Sequence, residues 1–358
     1  MKTFRNLYPK LCGFEHLLDA YYKARKNKRC KPYTCRFDYN LERELLSLQD
    51  ELLNKDYQPG GYHNFTVREP KKRVISAAPF RDRVVHHALV DILTPIFEPR
   101  FIHDSYACRV GKGTHRAINR CQAFMRKNKY FIHLDVVKFF PSVDHLVLMD
   151  ILSKHIRDDN VMWLVSRILE SGLSIEQAGA GPVYFAGDDL FAACRARGIP
   201  IGNLTSQFFA NVYLSEFDRF VKEKIRCNSY VRYADDALLF SNDKTSLAEW
   251  RRECIELMSK LRLALHVERA HARRSCDGER FLGFRIFPTH RLLDRRNVKR
   301  FRKKLNKMSE DYSADCIELS EVKASVQGWI AHAAYGDTWR LRNRLFKGVS
   351  FVREEKAS

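Results

Sequence analysis

No uninterrupted apolar run of roughly 18 residues occurs in this chain, so an α-helical membrane span is not expected. The N-terminal MKTFRNLYPKLCGFEHLL also lacks an apolar stretch followed by a cleavage site, which argues against a secretory leader. Ten cysteines are scattered without a CxxC pair. Cys30 and Cys35 are the nearest two, with no His/Cys set at zinc-finger spacing around them. Most of them read as small buried hydrophobes of a reduced, cytoplasmic compartment rather than as disulfides or metal ligands. Internal repeats are missing too. The last shortage is of negative charge: 43 Asp and Glu stand against 63 Lys and Arg, for a formal net charge of +20. Such an excess favours a polyanionic partner, with nucleic acid ahead of an acidic membrane surface.

What is present is enough for a large core: 358 residues, 45% of them hydrophobic. The first 36 residues hold ten Lys or Arg, densest over Lys23–Lys31, which read equally as a solvated helix face or a nucleic-acid-contacting arm. Residues 41–55 have the spacing of an amphipathic helix. Tyr62–Val67 and Arg73–Ser76 look like strands, and Pro79–Phe97 like a helix stopped by Pro95 and Pro99. FIHLDV, from Phe131, is strand-like and leads into a turn and a helix starting near Ser142. Residues 172–198 suggest a loop or hairpin, and 204–225 a helix. NSYVRY and ALLFS flank a turn at Ala234-Asp235-Asp236. A helix over 246–263 and a strand at RFLGFRIFP follow. Residues 291–307 carry nine basic residues and one acid, with helical material continuing to about 346. Helices and strands mixed without regular βαβ spacing predict an α+β fold, with the basic C-terminal helices as a separate small domain.

The sharpest chemical feature is YVRYADDALLFS. Asp235 and Asp236 sit at a tight turn between apolar strands with no local cation, so burying both demands a positive partner. Divalent metal would supply it, and Asp135, at the end of FIHLD, offers a third carboxylate. A two-metal site would activate an attacking 3′-hydroxyl and hold a triphosphate. Asp158-Asp159 and Asp188-Asp189 are acidic pairs as well, and read as solvated turn or helix-end residues. The pattern alone leaves phosphoryl transfer and a solvated acidic turn evenly balanced.

YADD between hydrophobic strands resembles the YxDD box of reverse transcriptases. FIHLDVVKFFPSVD, GIPIGNLTSQFFANVYLSEFD and FLGFRIFP resemble, in family order, that family's first-aspartate, substrate-positioning and primer-grip segments. RVISAAPFRDRVVHHAL and HDSYACRVGKGTHRA resemble its upstream ones. The resemblance covers roughly residues 15–345. It implies a right-hand polymerase fold: a basic helical N-terminal extension over 1–60, fingers over 61–130, a palm with an antiparallel sheet over 131–290 that includes a fingers-type insertion near 171–210, and a helical basic thumb and tail over 291–358.

It also implies roles. Asp135, Asp235 and Asp236 would be the catalytic carboxylates, holding two Mg²⁺ ions with the Val136 backbone, with Mn²⁺ as a substitute in vitro. Phe140 matches the bulky residue that excludes a ribose 2′-hydroxyl, with core packing as the alternative. Arg73 resembles the residue that contacts the incoming triphosphate. Lys72 and Arg83 are weaker candidates, and Arg83 could simply pair with Asp82. Gly202 would lie close to the incoming base or template, while Ser206 and Gln207 would cap the following helix or touch the nucleic-acid backbone. Phe281, Leu282, Gly283 and Phe284 would grip the primer, although a packed strand also explains the two phenylalanines. Arg295, Arg296, Lys299, Arg300, Lys303 and Lys304 would form one helical face along a phosphate backbone.

Within the family, the chain most resembles the enzymes of diversity-generating retroelements, through Ser206-Gln207, SYACRVGKGTHRA and WIAHAAYGDT. That implies a bacterial or phage-encoded enzyme copying a template-repeat RNA into cDNA with errors at template adenines. The partners would be template RNA, primer, RNA–DNA hybrid, dNTPs and, in that group, a small basic helical accessory protein. Ile201 stands where many accurate relatives have Gln, which is consistent either with relaxed base selection or with simple packing. A defence-associated reverse transcriptase making cDNA in an anti-phage response is the alternative. Residues 171–197 are longer than a compact connection between these motifs. No nuclease or integrase segment is expected in the remaining length, nor the maturase region usual in group II intron enzymes.

Overall fold

The computed structural model describes residues 2–67, 72–173 and 183–353. Helices α1 (Tyr8–Cys12), α2 (Phe14–Arg25), α3 (Pro32–Tyr39) and α4 (Leu41–Leu53) open the chain. Leu45, Leu48 and Leu52 recur at three- and four-residue spacing on α4 and are fully buried, as its amphipathic pattern predicts. The basic run divides: α2 ends at Arg25, with Lys23 paired to Asp91 at 2.6 Å and Arg25 to Asp38 at 2.8 Å.

Strands β1 (His63–Val67) and β2 (Arg73–Ala77) pair antiparallel from His63↔Ala77 to Val67↔Arg73. Helix α5 (Phe80–Phe97) follows and buries most of its length. Pro95 lies inside its last turn and does not end it. Next come α6 (Thr114–Lys127), β3 (Tyr130–Leu134), α7 (Phe139–Ser142), α8 (His145–Ser153) and α9 (Asp159–Ser171). The helix expected from Ser142 begins instead at His145. Asp144 caps it, accepting from the Val147 N–H at 3.1 Å, whereas the Ser142 hydroxyl donates to the Lys138 carbonyl at 2.9 Å. Asp158 is not solvated as expected. It accepts from Asn160 and Val161 at the start of α9, and from the Leu7 and Tyr8 amides at 2.6 and 3.0 Å.

Residues 174–182 of the long connection lie outside the described residues. Its remainder is clamped to the start of α8: Arg195 reaches Asp144 at 3.5 Å and Asp188 at 2.8 Å, while the His145 amide donates to the Ala196 carbonyl at 3.1 Å. Asp188 is therefore a paired residue, not the free surface carboxylate expected. Asp189 caps a 3-10 turn, Leu190–Cys194.

Helix α10 (Leu204–Arg219) runs into a π turn before β4 (Tyr230–Tyr233) and β5 (Asp236–Ser241). Helix α11 (Lys244–Lys260), capped by Asp243, and the short β6 (Arg273–Arg274) follow. These strands form one antiparallel sheet in the order β4-β5-β3-β6. RFLGFRIFP is not one strand. It makes β7 (Glu279–Phe281) and β8 (Phe284–Ile286), which with β9 (Arg291–Leu293) form a second sheet. Phe281 pairs with Phe284, so Leu282 and Gly283 are a two-residue turn, with φ of 49° and 86°. Both residues occupy the left-handed region that such a turn requires. Helices α12 (Arg295–Ser313), α13 (Leu319–Ala333) and α14 (Trp339–Phe346) complete the chain.

The alternation of β3 and β5 divides the core. Ile132, Leu134, Ala237 and Leu239 face a large core that extends from Tyr8 to Ala270. Phe131, Leu238 and Phe240 face the other way, against Phe281, Phe284 and Ile286 of the second sheet and Ile118, Cys121 and Phe124 of α6. Phe301, Leu305, Met308, Val322 and Leu345 form a third cluster among α12, α13 and α14. The architecture is α+β, with the acidic turn at the edge where the first two cores meet.

Candidate active site

Strand β3 pairs with β5 up to Leu134↔Ala237, which brings Asp135 to the same end of the sheet as Asp236. Beyond β3, the Asp135 carbonyl accepts from the His266 N–H at 3.0 Å, and the Val137 N–H donates to the Ala264 carbonyl at 2.8 Å. Val136 forms a bridge to Leu265. The backbone from Asp135 to Val137 is thus tied to residues 264–266. Tyr233 pairs with Asp236, leaving Ala234 and Asp235 as the turn, with Ala234 at a φ of 53°.

That turn is braced from below by Arg232, whose guanidinium donates to the Ala234 carbonyl at 3.0 Å. Arg232 is fully buried and forms a two-point pair with Asp218 at 2.7 and 2.5 Å. Asp218 also accepts from the Tyr230 hydroxyl at 2.7 Å. Arg232 and Asp218 are readable in YVRYADD and SEFD, but their pairing is not, because nothing local joins them.

The Asp235 carboxyl is pushed up to about 6, chiefly by burial, then by repulsion from Asp236 and Asp135, while the Arg73 guanidinium on β2 pulls the other way. Asp236 is turned aside: its Oδ1 lies 3.2 Å from His133 Nε2, and His133 Nδ1 lies 2.8 Å from Glu279. Burial alone would lower the His133 imidazole, but hydrogen bonds and charge from Asp236 and Glu279 raise it to about 9, so it is a cation at neutral pH. Among the described residues, no three His, Cys, Asp or Glu side chains are gathered closely enough to hold a metal ion by themselves. Carboxylate oxygens such as those of Asp135 and Asp235 are the donor type a hard divalent cation takes, with water and substrate phosphates as its usual further ligands.

Around this turn, Phe139 is buried near Tyr213, while Phe140 is only partly buried and lies edge-on to Phe139, 5.5 Å away. The Phe140 carbonyl accepts from the Ile199 N–H at 2.9 Å, which fixes the next segment beside it. Arg73 and Lys72 are exposed. Arg83 does not pair with Asp82. Its Nε donates to the Ala78 carbonyl at 2.8 Å, and its guanidinium lies 5.0 Å from the Tyr33 ring. Asp82 is taken instead by the Tyr57 hydroxyl at 2.7 Å and the Gly60 N–H at 2.8 Å.

Gly202 has a φ of 120°, and a Cβ there would come within 2.8 Å of Ile75 Cγ2. Its immediate protein neighbour is thus Ile75 of β2. The Ser76 N–H donates to the Ile201 carbonyl at 2.9 Å. The Asn203 side chain donates to the Ser76 carbonyl at 3.1 Å and accepts from the Ala78 N–H at 3.2 Å. Asn203, not Ser206 or Gln207, stands at the N-cap, with its side chain spent on β2. Ser206 is buried inside the first turn and Gln207 is exposed.

Phe281 and Phe284 are core residues of the second sheet, so only Leu282 and Gly283 at the turn are offered outward. Gly283 faces His332 of α13. Tyr335, just beyond α13, stacks on His115 at 3.8 Å and donates to its carbonyl at 2.9 Å. On α12 the buried Phe301, Leu305 and Met308 leave Arg295, Arg296, Lys299, Lys303 and Lys304 exposed, with Arg300 half-buried. Arg296 is held by Asp294 at 3.0 Å.

Residues 63–286 match the family described as reverse transcriptase (RNA-dependent DNA polymerase). The chain belongs to that family. The chain is 26% identical to protein YkfC of Escherichia coli K12 over 283 residues, covering 68% of the chain and 71% of YkfC. It is 23% identical to the group II intron-encoded protein LtrA of Lactococcus lactis over 279 residues, covering 60% of the chain and 44% of LtrA. It is 26% identical to nuclear intron maturase 1 of Arabidopsis thaliana over 288 residues, covering 62% of the chain and 40% of that protein. The chain thus spans less than half the length of the last two. Among solved structures, apo telomerase from Candida tropicalis aligns over 67% of this chain and 55% of its own, with a TM-score of 0.44 at 15% identity.

The residues not singled out from the sequence are those that brace the expected ones: Arg232 and Asp218 under the turn, Asn203 against β2, and His133 with Glu279. His133 and Arg232 stand out as polar residues within apolar strands, whereas Asp218 and Glu279 lie among other charged residues and carry no such signal.

Proposed function

We propose that this chain is an RNA-directed DNA polymerase that extends a primer along a template-repeat RNA with relaxed selection opposite adenine, as in diversity-generating retroelements. The observation that supports the catalytic reading most is the strand pairing that brings Asp135 to the end of the sheet where the Asp235–Asp236 turn lies, with the Asp235 carboxyl held up by burial and by its carboxylate neighbours. Asp135 and Asp235 would hold Mg²⁺ together with the Val136 backbone. Bound there, Mg²⁺ supplies charge neutralisation for the triphosphate and a lowered pKa for the attacking 3′-hydroxyl. Arg73 offers a guanidinium to the triphosphate, with exposed Lys72 beside it. Phe140 presents an aromatic edge against a ribose 2′-hydroxyl. Leu282 and Gly283 would meet the primer terminus, and the exposed face of α12 the backbone of the hybrid.

The narrower, adenine-mutagenic reading is supported by Ile201 and by Ser206-Gln207. Ile201 has no side-chain hydrogen bond to give a base pair, and Asn203 already performs the bridging to β2. A second reading, intron-linked cDNA synthesis, is favoured by the likeness to LtrA and nuclear intron maturase 1. The test is a sequenced extension assay with Mg²⁺, dNTPs and a primed RNA of mixed sequence. Errors concentrated at template adenines support the diversity-generating reading, whereas uniformly accurate cDNA favours an intron-linked or defence role. Asp235→Asn should abolish synthesis, and retained synthesis would sink the catalytic assignment.

A further inference from the structure

His133 lies on β3 two residues before Asp135, so both side chains leave the same face of the sheet. It pairs across with Leu238, two residues beyond Asp236, which puts Asp236 on that face as well. The imidazole bridges Asp236 Oδ1 at 3.2 Å and Glu279 Oε1 at 2.8 Å, while Glu279 Oε2 takes Arg273 at 2.5 Å. Its ring also lies edge-on to Phe281, 6.5 Å away. Glu279 opens β7, three residues before the Leu282–Gly283 turn, and the two sheets share no backbone ladder. The bridge therefore links two separately built parts: the catalytic turn and the hairpin whose tip faces the primer.

We infer that His133, with Glu279 and Arg273, is a positioning unit that sets the primer 3′ terminus against Asp135 and Asp235 by fixing the β7–β8 turn to the Asp236 end of the catalytic hairpin. This inference rests on the polymerase reading above. Small displacements of reacting groups cost rate without costing much binding, which separates this role from simple support of the fold.

The experiment is single-turnover extension of a prebound primed RNA at saturating dNTP by the full chain and its His133→Phe, Glu279→Gln, double and His133→Gln variants. His133→Phe should slow addition by about tenfold or more, with the Kd for primed RNA and the KM for dNTP changed by less than about threefold. Glu279→Gln should slow it less, and the double variant no more than His133→Phe alone, because both cut the same link. His133→Gln, which can still donate and accept, should recover part of the rate. If His133→Phe does not fold, the pair His133→Gln and Glu279→Gln carries the same cycle. A folded His133 variant that extends like the wild type, or losses that multiply in the double variant, would overturn the inference alone. A folded wild type that extends no primed RNA would overturn the polymerase reading, and this inference with it.

Discussion

Arg232 and Asp218 are both removed from solvent, and either alone would be a costly isolated charge. Their two-point pair, completed by the Tyr230 hydroxyl, leaves Nη1 free to donate to the Ala234 carbonyl and to Asn211 Oδ1, so the shape of the Ala234–Asp235 turn depends on a buried ion pair. Asp218→Asn should destabilise the protein by about 3–5 kcal/mol, read by urea denaturation, because it strands the guanidinium. A cost under about 1 kcal/mol would mean that the charge finds solvent by relaxation. His86 on α5 is a second residue-scale test. Burial, then the charges of His87 and Arg83, lower its imidazole to about 3. The unfolded chain takes up a proton near pH 6.5 that the folded chain refuses, so this contribution is complete above pH 6.5 and is lost as pH falls towards 3. His86→Phe should flatten the acid loss of stability between pH 7 and 4 by up to about 3 kcal/mol, and an unchanged pH slope would refute this assignment.

At the scale of elements, β2 and the start of α10 are joined by Ser76, Ile201 and Asn203, and Gly202 permits the approach. An alanine there meets Ile75 at 2.8 Å and must also hold a φ of 120°. Gly202→Ala should therefore cost about 1–3 kcal/mol and weaken dNTP use, since Arg73 rides on β2. Adding Ile75→Ala should recover the steric part but not the backbone part. Full recovery, measured by thermal melting and dNTP KM, would show that conformational strain contributes nothing. The same scale explains why RFLGFRIFP was read as one strand. Its apolar pattern continues through a turn whose first residue is Leu282, a side chain that rarely takes positive φ.

Across the whole molecule, the excess of positive charge lies partly in the connection between α2 and α3 and partly on α12, a helix with an apolar side to bury and a basic side to spare. On α12, Phe301, Leu305 and Met308 anchor the helix, leaving Lys299 and Lys303 exposed on it. Lys299→Ala and Lys303→Ala should each weaken binding of RNA–DNA hybrid irrespective of sequence. Each should also make the dependence of log K on log salt shallower by about 0.7–0.9, the share of one phosphate contact. Arg296→Ala should change the slope less, because Asp294 already holds that guanidinium. Equal slopes for all three variants and the wild type, from titrations at several salt concentrations, would remove α12 from the nucleic-acid path.

The amino-acid sequence by itself determined the element types, the α+β class, the hairpin around Ala234 and Asp235 and the basic C-terminal helix. All of these follow from apolar periodicity and turn chemistry within a dozen or so neighbouring residues. It also carried the family, because the motifs that hold Asp135, Asp235 and Gly202 are contiguous. Only the tertiary structure decided that Asp236 faces His133, that Glu279 answers it across 146 residues of chain, that Gly202 makes room for Ile75 and that Asp82 belongs to Tyr57. Those partners are chosen by close packing of segments far apart in the chain, where each polar group must find whichever complement the fold brings within reach.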